Sequence, residues 1–186
     1  FVSWFMKKRI HQMELFIKYP VEVQNEVLKN LVQKAENTEW GKRHRYSRLA
    51  HYNDFREAVP ISTYEDLAPT IERVMEGEAD VLWPGDIRWF AKSSGTTNAR
   101  SKFIPVSNEA LEDCHYKGGK DMISMYLNQY PDSKLFAGKG LVIGGSSQVN
   151  HLNDRSYYGD VSAVIMKNLP LWAQYVRVPS LDIALM

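Results

Sequence analysis

Five small residues in a row, Ser93-Ser94-Gly95-Thr96-Thr97, carry four hydroxyls and one glycine, and Lys102 follows them. Hydroxyls donate hydrogen bonds to anionic oxygens. Glycine lets the backbone turn and brings its N–H groups close to an anion. Lys102 adds a positive charge just beyond. Hydrogen bonds to a charged group are worth about 1.5–3 kcal/mol each, so a few of them hold a polyphosphate tail. The same residues also fit a flexible polar turn, because Ser, Thr and Gly strings are common in loops. The stretch is not a Walker A loop, since no Gly-x-x-x-x-Gly-Lys-Ser/Thr occurs. It is not a dinucleotide fingerprint either: Gly138-Lys139-Gly140 begins like one, but Ile143 stands where the third glycine belongs.

Other chemistry-bearing residues are sparse. His11, His44, His51, His115 and His151 show no metal-ligand spacing, and Cys114 is the single cysteine. No Gly-x-Ser-x-Gly elbow offers serine hydrolase chemistry. One thiol forms no internal disulfide, which fits a reducing, cytoplasmic setting. Cys114 itself reads as a small apolar residue on a helix, with the burial usual for a free cysteine. Lys42, Arg43, Arg45 and Arg48, with His44 and Tyr46, make a short basic run that reads as a solvated loop in preference to an anion site. The formal net charge is only +1, so nothing global recruits nucleic acid. No apolar run reaches the roughly 18 residues of a membrane span.

The elements that must position the loop come next. The chain has 186 residues, 44% hydrophobic and 24% charged, enough for one domain with a core. Val2, Phe5, Ile10, Met13 and Phe16-Ile17 recur at helical spacing. Pro20 opens a second helix carrying Val23, Val27, Leu31 and Ala35, and Asn37-Thr38 and Gly41 end it. Asn53 to Val59 is a short helix stopped by Pro60. Ser62 or Thr63 caps another, and Pro69 restarts a further helix through Ile71, Val74 and Met75 that Gly77 closes. Pro84-Gly85-Asp86 is a turn. Ile87 to Ala91 is a strand leading into Ser93, and Phe103 to Val106 is extended. Ser107 caps a long helix through Leu111, Cys114, Gly118 and Met122. Gly140 to Gly145 reads as a buried strand, and Asp160 to Lys167 as a helix ended by Pro170. Strands alternate with helices only after about residue 80, which predicts an α/β fold with a helical N-terminal layer.

The Ser93 to Thr97 stretch, with Lys102-Phe103-Ile104-Pro105, resembles the phosphate-binding motif of the acyl-adenylate-forming superfamily. Val59-Pro60-Ile61-Ser62-Thr63-Tyr64-Glu65-Asp66-Leu67, then Pro69-Thr70-Ile71-Glu72-Arg73 and Gly77-Glu78, resembles the auxin-responsive acyl-acid amido synthetase family. Trp40-Gly41-Lys42 is similar to that family's early region. The resemblance implies that residues 1–186 are the N-terminal part of the large adenylate-forming domain, incomplete here and without the C-terminal domain. The start at Phe1 and the abrupt end at Met186 agree with a piece of a longer protein. It implies ATP-dependent activation of a carboxylic acid as an acyl-adenylate, then transfer to an amine, usually an amino acid. ATP and magnesium are the implied cofactors. Ser93, Ser94, Gly95, Thr96, Thr97 and Lys102 are the implied ligands of the β- and γ-phosphates. An acyl-CoA synthetase shares the adenylation step, and a non-catalytic nucleotide-binding or interaction module keeps the fold. Asn98 and Ala99 depart from the superfamily pattern, where glycine is common. Gly144-Gly145-Ser146-Ser147 and Tyr157-Tyr158-Gly159-Asp160 read as surface loops in preference to an acyl pocket, and His151 as a solvated histidine in preference to a base.

Overall fold

The computed structural model describes residues 2–93, 101–141, 148–170, 173–174 and 177–179. The chain divides into two compact units. One holds residues 1–63, 80–85 and 108–133, the other 64–79, 86–107 and 134–186. Among the described residues no helix is long and apolar enough to cross a membrane.

The first unit is helical. It contains α1 (Val2–Lys18), α2 (Pro20–Ala35), the short α3 (Glu39–Arg43), a 3-10 turn (Tyr46–Arg48) and α4 (Tyr52–Ala58). Ala110–Tyr116 then winds as a π-helix and continues directly into α6 (Lys117–Gln129). Pro20 stands at the start of α2, where a missing N–H costs nothing. The buried face of α2 is Val32 and Ala35 with half-buried Leu28, while Val27 and Leu31 are exposed. The expected four-residue stripe is therefore displaced. At 3.6 residues per turn, successive four-residue steps rotate steadily off one face. The basic run is exposed, apart from half-buried His44 and Tyr46, and Arg43 pairs with Glu39 at 2.7 Å. Cys114 is exposed, contrary to its expected burial. The π-winding explains this: Leu111 and Tyr116, five residues apart, share the buried face and Cys114 turns outward.

Gly41 sits where only glycine fits. A Cβ there would lie 2.0 Å from the carbonyl oxygen of Ala35. Thr38 makes this closeness possible. Its hydroxyl donates to Ala35 O at 2.7 Å and accepts the Gly41 N–H at 3.0 Å, capping α3. The Glu39 and Trp40 N–H groups donate to the carbonyls of Asp80 and Val81.

The second unit holds α5 (Tyr64–Met75), α7 (Val161–Lys167) and the strands. A four-stranded mixed sheet runs in the order β2 (Phe103–Val106), β1 (Trp89–Lys92), β5 (Tyr157–Gly159), β4 (Val149–His151). β1 is antiparallel to β2 and parallel to β5. Phe90 is fully buried, and Ala163, Val164 and Met166 of α7 join it in this unit's core. The α/β class and the helical opening agree with the sequence reading, but the sheet is small and mixed.

Three local expectations change here. Residues 64–75 form one helix with Pro69 inside it, not two helices. Pro69 is exposed while Ile71 and Val74 are buried, so the hydrogen bond that proline removes is lost on the solvated side. Tyr157 to Gly159 is the strand β5 and not a surface loop, and His151 lies exposed on β4. Of the expected strand Gly140 to Gly145 only β3 (Gly140–Leu141) is described; it pairs with β6 (Arg177–Val178) and is exposed. Gly77 does close α5. It has a φ of +95°, its N–H donates to Val74 O, and the Glu78 N–H reaches Arg73 O.

Candidate functional site

The hydroxyl-rich stretch is mounted on the β1–β2 hairpin. β1 ends at Lys92 and β2 begins at Phe103, and these two residues face each other in the ladder. One step further, the Ser93 N–H donates to Lys102 O at 2.9 Å, and the Lys102 N–H donates to the Ser93 hydroxyl at 3.3 Å. The two ends of the candidate loop are thus joined at its base. Of the six expected ligands, Ser93 and Lys102 are brought together. Ser94, Gly95, Thr96 and Thr97 lie outside the described residues, as do Asn98, Ala99 and Arg100.

Lys102 is held from the side of α5. Its ammonium lies 3.2 Å from a Glu65 carboxylate oxygen and 5.0 Å from the centre of the Tyr64 ring. The next residue, Phe103, donates its N–H to the Tyr64 hydroxyl at 2.9 Å. Among the described residues β2 is the edge of its sheet, so a backbone N–H pointing away from β1 needs such a cover. A second cation belongs to the same hairpin: Lys92 Nζ is 5.7 Å from the Tyr158 ring, which stands at 89° to the Phe103 ring with centroids 5.3 Å apart. In the sequence Glu65 stands out only as part of the segment that resembles the family, and Lys92 carries no expected role. The signal was there: a Tyr-Glu pair opening a helix, and a lysine ending the strand before the loop.

The far end of α5 is fixed as firmly. Met75 O, a carbonyl left open at the helix terminus, accepts from Ser156 Oγ and from Asn153 Nδ2, each at 2.8 Å. Asn153 Oδ1 in turn accepts the N–H groups of Arg155 and Ser156. The turn between β4 and β5 therefore anchors the helix that presents Tyr64 and Glu65. Gly159 lets β5 pass close to β4: a Cβ there would lie 2.7 Å from Gln148 O.

This fold is that of one part of the acyl acid amido synthetases. The structure superposes on the solved structure of GH3.15 acyl acid amido synthetase with a TM-score of 0.76, covering 94% of this chain and 30% of that one at 21% identity. The GH3 family N-terminal domain matches residues 9–186, and the chain belongs to the GH3 family. It is 33% identical over 106 residues to indole-3-acetic acid-amido synthetase GH3.2 of Arabidopsis thaliana, a match covering 56% of this chain and 19% of that protein. It is 31% identical over 107 residues to jasmonoyl–L-amino acid synthetase JAR6 of Nicotiana attenuata, covering 57% and 18%. The chain thus corresponds to less than a third of its relatives' length, at their N-terminal portion.

Proposed function

We propose that this chain supplies the phosphate-binding part of an ATP-dependent acyl acid amido synthetase. Both compact units then belong to the N-terminal part of one large adenylate-forming domain. Ser93, Ser94, Gly95, Thr96, Thr97 and Lys102 hold the β- and γ-phosphates and orient the pyrophosphate that leaves. A substrate carboxylate attacks the α-phosphate, giving an acyl-adenylate and pyrophosphate. An amine, an amino acid by analogy with the jasmonoyl–L-amino acid synthetase above, then attacks the acyl carbonyl and AMP departs. Charge stabilisation by fixed donors is the main catalytic demand of such a step.

The observation that carries this reading is the Ser93–Lys102 closure. It places the first hydroxyl and the lysine of the expected phosphate motif at one hairpin mouth. The amido synthetase names of the relatives favour an amine over a thiol as acceptor. Magnesium is assigned to the nucleotide phosphates, since that ion keeps most of its waters and takes few protein ligands. Among the described residues no three His, Cys, Asp or Glu side chains gather as a metal cage.

The test is ATP–pyrophosphate exchange by the full-length protein with a panel of carboxylic acids. Exchange is expected with at least one acid, and the Thr96→Ala, Lys102→Ala double variant should lose at least about tenfold, given the worth of charged hydrogen bonds. No exchange with any acid would count for the non-catalytic module. Exchange that the double variant leaves intact would remove these residues from the site.

A further inference from the structure

Tyr64 and Glu65 sit in the segment that carries the family resemblance, yet nothing in the phosphate reading uses them. The structure gives them a shared neighbour. Tyr64 spends its hydroxyl on the backbone of Phe103, so its ring is fixed by β2 itself. The lysine ammonium rests 5.0 Å from that ring's centre. Glu65 holds the same ammonium from the side at 3.2 Å, with the Lys102 side chain 33% exposed and that of Glu65 59% exposed.

We propose that Glu65 is a positioning residue for the nucleotide: it holds Lys102 across the Tyr64 ring while the site is empty, and yields the lysine to the phosphates when ATP binds. The proposal rests on the reading of Lys102 as a phosphate ligand. The charges dictate the direction. A triphosphate is a stronger anion than one carboxylate, and Glu65 left beside it would repel it. An ion pair this exposed is weak, so it is readily exchanged. The lysine stem is flexible and its ammonium has three donors, so it can swing without losing its place over the aromatic ring. Tyr64 keeps its hold in both states, because an aromatic face attracts the cation whichever anion completes the set. Glu65 thus sets the lysine's resting position and weakens ATP binding as the cost.

The experiment is calorimetric titration of magnesium-ATP into the full-length protein with no acid substrate present. Wild type, Glu65→Gln, Lys102→Ala and the double variant are compared. Glu65→Gln should bind ATP roughly two- to fivefold more tightly than wild type, as expected from an exposed pair. Lys102→Ala should bind at least about tenfold more weakly. Adding Glu65→Gln to Lys102→Ala should change nothing further. Unchanged affinity in Lys102→Ala overturns the phosphate reading and this inference with it. Weakened binding in Lys102→Ala, but no gain in Glu65→Gln, overturns this inference alone. So does a Glu65→Gln gain that survives in the double variant, because a purely structural or long-range effect of Glu65 does not depend on Lys102.

Discussion

The Tyr64 hydroxyl accepts the Phe103 N–H at 2.9 Å, tying the first residue of α5 to the first residue of the edge strand β2. A helix-opening tyrosine thereby completes the hydrogen bonding of the strand that leaves the candidate loop. Tyr64→Phe keeps the ring beneath Lys102 and removes the hydroxyl, which accepts the Phe103 N–H and donates to the Phe103 carbonyl at 3.5 Å. It should cost about 1 kcal/mol of stability, more if water cannot replace the hydroxyl. Amide hydrogen exchange at Phe103 should speed up markedly, while exchange in the core strand β1 changes little. Unchanged protection at Phe103 would show that the tyrosine is not that amide's partner.

Gly41 makes an opposite pair with Gly118. An alanine Cβ at 41 meets backbone at 2.0 Å, whereas at 118 it meets nothing within 4 Å. Gly41→Ala should destabilise by about 3 kcal/mol or more, since a backbone carbonyl cannot step aside as a side chain can. Gly118→Ala should stabilise by about 0.5–1 kcal/mol through better helix propensity. Urea unfolding of both variants checks the pair. A Gly41→Ala protein as stable as wild type would contradict the close approach of α3 to the end of α2.

Ser156 is buried, and its hydroxyl shares the Met75 carbonyl with Asn153. Ser156→Ala should cost about 1 kcal/mol, because Asn153 still satisfies the carbonyl. Asn153→Ala should cost more, about 2 kcal/mol, because two turn N–H groups also lose their acceptor. The double variant should lose more than the sum, since only then is the helix end left without either partner. Strict additivity in denaturant unfolding would mean that the two side chains do not share one carbonyl.

Much of this was legible in the sequence where one local rule decides. Gly77 ended its helix because a positive φ is cheap only for glycine, and the two extended segments around Ser93 and Lys102 became a hairpin. The rest depended on partners far along the chain. Lys102 and Glu65 are separated by a helix and a strand, so no window of sequence pairs them. The buried face of α2 was chosen by its neighbours, which take Val32 and leave Leu31 out. Cys114 was turned outward by a change in helical winding, and the pattern of apolar residues does not announce that.

Glu109, at the start of the helix leading into α6, receives Lys34 Nζ at 2.9 Å and Trp83 Nε1 at 3.1 Å. The hydrogen bond from Lys34 chiefly holds its carboxyl at about 2, against an ordinary 4.5. A carboxyl depressed on folding stabilises the protein above its unfolded value. That contribution is fully present above about pH 4.5 and fades as the pH falls toward about 2. Lys34 and Glu109 are 47% and 35% exposed, so solvent screening keeps the effect near 1 kcal/mol. Glu109→Gln retains an acceptor for Trp83 and loses the charge. The gap in unfolding free energy between wild type and variant should therefore be about 1 kcal/mol at neutral pH and close as the wild-type carboxyl protonates. High salt should narrow it at neutral pH as well, because the pair is exposed to counterions. A gap that stays constant across this pH range would mean that Glu109 contributes through its shape and its contact with Trp83, with no share from the charge.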